Sequence, residues 1–62
     1  MTESVDDRIR KLRHDLANPL SALLAETQLM LMNAEAYDEE TLESLQEIEK
    51  LSRRMRDILK EV

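Results

Sequence analysis

The residues of this sequence that could do chemistry cluster in one run, His14-Asp15-Leu16-Ala17-Asn18-Pro19-Leu20. His14 is the only histidine, and an imidazole is the side chain best suited to move a proton or accept a group near neutral pH. Asp15 follows it directly. Asn18 comes one helical turn later on nearly the same face, so His14 and Asn18 can both address one small group in solution. A lone histidine on a helix is usually a surface residue without a task; these neighbours single this one out. Pro19 does so most sharply. Inside a helix it removes the hydrogen bond to the Asp15 carbonyl and crowds it, at about 3 kcal/mol, so a kinked or loosened helix is expected within a turn of the histidine. With one histidine and no cysteine there is no plausible zinc cluster, and no metal site is expected.

The elements that must position this run are helices. From Val5 the apolar residues Ile9, Leu12, Leu16, Leu20 and Leu23 recur in steps of three and four, continued by Thr27, Met30 and Ala34. On this spacing His14 stands about 155° from the centre of the stripe and faces solvent. A second, wide stripe runs through Leu42, Leu45, Ile48, Leu51, Met55, Ile58, Leu59 and Val62. Between them Asp38 can cap a helix, Glu39 and Glu40 suit the positive end of its dipole, and Asn33 is the residue best able to end the first helix in a left-handed conformation. The spacing predicts helix 1 over about 4–34, a connection over about 35–37 and helix 2 over about 38–61, with the helices as antiparallel neighbours.

The 62 residues contain no glycine, one proline and one aromatic residue, and 42% are hydrophobic. That composition favours an all-α fold whose core is small for a monomer, and without disulfides or metal the remaining source of burial is self-association. The expected architecture is an antiparallel helical hairpin that pairs as a homodimer into a four-helix bundle, the whole chain forming one domain. A net charge of −5 and a single aromatic residue argue against nucleic-acid binding. No apolar run reaches the roughly 20 residues of a membrane span, and the acidic start lacks the pattern of a signal peptide, so a cytoplasmic segment with no membrane contact is expected.

The run around His14 resembles the H-box of sensor histidine kinases: histidine, an acidic residue, two variable positions, asparagine or threonine, proline, leucine. The asparagine form looks like that of nitrogen-regulation-type kinases. A long helix bearing this box, a short connection and a second amphipathic helix make the whole chain similar to the family's dimerisation and histidine-phosphotransfer domain. The resemblance implies that His14 takes the γ-phosphoryl group of ATP and passes it to an aspartate on the receiver domain of a response regulator. It implies that Asp15 fixes the ring tautomer, that Asn18 orients the water of a phosphatase reaction, and that Pro19 supplies a bend between states. ATP and Mg are implied on a separate catalytic domain; this chain carries no cofactor of its own. That domain is rich in glycine, and a chain without glycine does not contain it. Phosphoryl transfer depends on positioning and charge stabilisation, which suits an exposed acceptor beside a carboxylate.

Two features extend the site. Small residues Ala17, Ser21, Ala22 and Ala25 follow His14 and leave room for a docked partner, although helix propensity alone explains them equally well. All basic residues lie in Arg8 to Arg13 or Lys50 to Lys60, so antiparallel folding gathers Arg8, Arg10, Lys11 and Arg13 with Arg53, Arg54, Arg56 and Lys60 at the His14 end. Arg10 and Lys11 are expected docking residues. Leu29 and Met32 fall off the main stripe and either pack across a dimer or stay partly exposed. Two alternatives remain open: a free-standing histidine phosphotransfer module, and a non-catalytic dimeric helical-hairpin adaptor. The start at Met1 and the end at Val62 within helix 2 favour an excised part of a longer kinase over a free-standing module. Monomeric phosphotransfer proteins fit less well, since their motif places lysine and glycine after the histidine.

Overall fold

A computed structural model describes residues 4–62, which form α1 (Val5–Met32), a short 3-10 turn (Ala34–Ala36) and α2 (Glu39–Glu61). At the start of α1 the Ser4 hydroxyl accepts from the Asp7 amide at 3.1 Å, and Asp6 and Asp7 occupy the first turn, where the dipole favours negative charge. The helix runs without interruption through Pro19, so the proline is held inside the helix and does not end it.

α1 stops at Met32, two residues short of the sequence estimate, and not by the left-handed cap expected of Asn33. Asn33 has φ −109° and ψ 46°, and its amide bonds back to the Met30 carbonyl at 3.0 Å. The chain then tightens through Ala36 N–H to Asn33 C=O and Tyr37 N–H to Ala34 C=O, at 3.0 and 3.2 Å. Tightened bonds of this kind satisfy carbonyls that a left-handed residue otherwise serves.

Asp38 then caps α2: its Oδ1 accepts from the Thr41 amide at 2.8 Å, and hydrogen bonding from Thr41, its side chain first and its amide second, lowers the carboxyl from its ordinary value. Because the folded-state value is the lower one, the cap stabilises fully above the unfolded value and is lost as pH falls through the folded one. Asp38→Asn is therefore expected to keep most of the thermal midpoint at neutral pH but flatten its fall below about pH 4, while Asp38→Ala lowers the midpoint at neutral pH. Thermal melts by circular dichroism across pH 2–7 check this, and an unchanged acid limb in Asp38→Asn would exclude the cap as its source.

The two helices lie antiparallel in a rod of 54 × 15 × 12 Å, with Arg13 Nη1 donating to the Val62 carbonyl at 2.6 Å across the open end. Their seam is slim. Leu20, Leu24 and Thr27 of α1 and Leu45 and Ser52 of α2 are buried, and the most enclosed of them is Ser52, 1% exposed. Thr27 satisfies its hydroxyl on the Leu23 carbonyl at 2.8 Å.

Of the helix 1 stripe read from sequence as core, only Leu20 and Thr27 are buried; Val5, Ile9, Leu12, Leu16, Leu23 and Met30 stay exposed. α2 covers a neighbouring strip that includes Ala17, Leu24 and Leu31, because a stripe this wide has two edges and one neighbouring helix covers only one. On α2 and its C-cap the exposed residues Ile48, Leu51, Met55, Ile58 and Val62 recur in steps of three and four beside the seam. In an antiparallel pair both uncovered stripes fall on the same side. A concavity of about 270 Å³ lined by Leu16, Pro19, Leu20, Leu23 and Met55 joins them. The hairpin thus has one continuous apolar side.

Candidate functional site

His14, Asp15, Asn18 and Pro19 are all exposed on α1. At about 100° per residue, His14 lies roughly a quarter-turn from the seam, on the side away from the uncovered Leu16 and Leu23, with Ser21 almost in line with it and Asn18 slightly further round. Among the described residues, no side-chain hydrogen bond involves His14, Asp15 or Asn18, so the imidazole and the amide stand open to solvent. Asp15 is sequence-adjacent, and consecutive helical side chains point about 100° apart.

The expected docking residues separate. Ala17 and Ser21 line a groove of about 440 Å³ together with Arg13, Arg56, Leu59 and Lys60. Arg10 lies above it with Asp6, Ile9, Arg13 and Val62 around a second concavity, its Nη1 3.9 Å from Asp7. Lys11, Ala22 and Ala25 are exposed and line neither. Arg13, Arg56 and Lys60, expected from sequence to gather at the His14 end, share the first groove with Ser21, whereas the sequence points to Arg10 and Lys11 as the docking cations. A signal for that grouping was present in the steps of four that link Arg13, Ala17 and Ser21 on one helix and Arg56 and Lys60 on the other. Leu29 and Met32 are exposed, Met32 at 83%, and belong to neither the seam nor the apolar side.

The model of the His Kinase A (phospho-acceptor) domain family matches residues 4–62. The chain belongs to this family. Such domains are the phospho-acceptor and dimerisation parts of histidine kinases, and the strand-free helical hairpin of residues 4–62 is the fold of the family. No curated protein and no solved structure matches the chain at a significant level. Among the described residues of this His Kinase A domain, no helix is long and apolar enough to cross a membrane, and no group of three or more histidine, cysteine or acidic side chains is placed to hold a metal ion.

Proposed function

We propose that this domain is a homodimeric phosphocarrier in which His14 takes the γ-phosphoryl group of ATP bound, with Mg, on a separate catalytic domain and passes it to a receiver aspartate. The observation that carries the reading is the two-sidedness of the hairpin. One side is apolar and suits a second copy; His14 stands on the other, where pairing leaves it open to a bulky donor or acceptor. A nitrogen lone pair of the ring forms the N–P bond as the bond from γ-phosphorus to the bridging oxygen breaks and ADP leaves. The receiver carboxylate then attacks phosphorus and the N–P bond breaks, returning the electron pair to the ring. Asp15 orients the ring by accepting from its other nitrogen, and Pro19 allows the helix to bend between states by removing one backbone bond beside the site. The cytoplasm, where ATP is found, is the compartment this chemistry requires.

Incubation with a catalytic domain, ATP and Mg tests the reading: the chain acquires acid-labile, base-stable phosphate. No label from several catalytic domains of the family would favour a non-catalytic adaptor. Asn18 is assigned to the reverse traffic, orienting the water that hydrolyses the receiver's phospho-aspartate. Asn18→Ala is expected to slow receiver dephosphorylation by about 10²-fold, the usual loss when a reactant is misplaced, with phosphotransfer within about threefold of wild type. Equal losses in both, followed on phosphate-affinity gels, exclude the water-orienting role.

A further inference from the structure

The groove beside His14 has the chemistry of an anion site. Its lining residues Arg13, Ala17, Ser21, Arg56, Leu59 and Lys60 include three cations and a hydroxyl, and no carboxylate. Among the described residues neither Arg13 nor Lys60 lies within ion-pair distance of an Asp or Glu side chain; Arg13 donates to the main-chain oxygen of Val62, the last residue. Arg56 carries the decisive feature. Its Nε is buried with no hydrogen-bond partner, while the rest of the side chain is accessible, 40% exposed overall, and the Asp57 carboxylate lies at 3.8 Å, within ion-pair distance but beyond bonding range. Buried donors are rarely left without an acceptor, and a guanidinium loses most by it. Ala17 and Ser21, lying on or near His14's side of α1, leave the space that large side chains would fill.

We propose that this groove is a subsite for a phosphate-class dianion, held by Arg13, Arg56 and Lys60 with the Ser21 hydroxyl. Such a dianion offers several acceptor oxygens to donors arriving from both helices, which a chloride does not. The site lies between the two helices near their open end, so occupancy also ties α1 to α2 there. That the occupant is the phosphoryl group carried on His14 rests on the phosphocarrier reading; free phosphate is the other source of the same chemistry.

Titration of the full chain with inorganic phosphate at constant ionic strength in chloride, followed by amide and arginine side-chain NMR, tests the subsite. Saturable shifts centred on Arg13, Ser21, Arg56 and Lys60 are expected. The affinity should fall at least about tenfold in the double variant Arg56→Gln, Lys60→Gln, with the helical signal retained, and stay within about twofold in Arg54→Gln, a cation outside the groove. Lys60→Gln alone, at an exposed position, provides the same test if the double variant fails to fold. Shifts that grow linearly over all the basic residues, or an equal effect of Arg54→Gln, overturn the proposal. Binding in His14→Gln should match wild type, which separates the groove from the phosphocarrier reading. After phosphorylation by phosphoramidate, loss of free-phosphate binding identifies the carried group as occupant, and retained binding identifies free phosphate.

Discussion

Replacing His14 with glutamine is expected to abolish phosphate incorporation from a catalytic domain and ATP, leaving label at background. Glutamine keeps a polar side chain of similar reach on an exposed helical surface, so the helix and the apolar side are undisturbed. It has no nitrogen lone pair free to attack phosphorus, because the amide nitrogen is conjugated with its carbonyl. The chemistry of the label matters as much as its amount. A phosphoramidate is hydrolysed by acid and survives base, whereas a phosphate ester on Ser21 or Ser44 behaves in the opposite way. Label that persists in His14→Gln, or that withstands acid in the parent chain, sinks the assignment of His14. Asp15→Asn serves as the graded companion. An asparagine in place of an orienting carboxylate is expected to slow labelling by about 10²-fold without changing its acid lability, the lower end of what general acid–base partners contribute. A rate within about twofold of wild type would mean that the carboxylate, which makes no hydrogen bond to the ring in the free chain, does not turn to it in the complex either.

The parts of this molecule legible in its sequence are those whose information is local. Asp38 announces the start of α2 because a cap needs one side-chain oxygen and an amide three residues on, and Thr41 supplies it. The H-box is local in the same sense. The end of α1 was harder, since Asn33 is one of several residues able to stop a helix and the following Ala34, Glu35 and Ala36 suit a tight turn as well as an open one. The division of the wide apolar stripe was illegible for a different reason. Periodicity gives the angular width of a face but not which neighbour covers which edge, so Leu16 and Leu23 look as central as Leu20 until α2 is in place. The gathering of basic residues at the His14 end is legible from their two clusters and the antiparallel fold, but which of them line one groove with Ser21 depends on the register of helix ends 49 residues apart, the separation of Arg13 and Val62.

The uncovered apolar side leads to the second large effect. Within one hairpin the buried apolar residues are Leu20, Leu24 and Leu45, a core well below what an independent fold of this size requires. Leu16, Leu23, Ile48, Leu51, Met55 and Ile58 are each between 41% and 52% exposed. Each stabilises by about 1.5–3 kcal/mol only on passing from full exposure to full burial, so pairing of two copies through this side recovers a substantial part of that from every one of them. On the proposed pairing, folding and association are one event. The thermal midpoint should rise with chain concentration, and sedimentation at micromolar concentration should give twice the chain mass. Leu23→Glu and Met55→Glu place a carboxylate where it must be desolvated, at several kcal/mol. For a domain of this size about 1 kcal/mol corresponds to roughly 4–8 °C, so each should lower the midpoint by roughly 15 °C or more, or remove the cooperative transition. Leu29→Glu makes the same chemical change at a position of similar or greater exposure, 59%, but off the apolar side, and should shift the midpoint by only a few degrees. A chain that sediments as a folded monomer, or three glutamate variants of equal stability, would mean that the apolar side is not where the second copy sits.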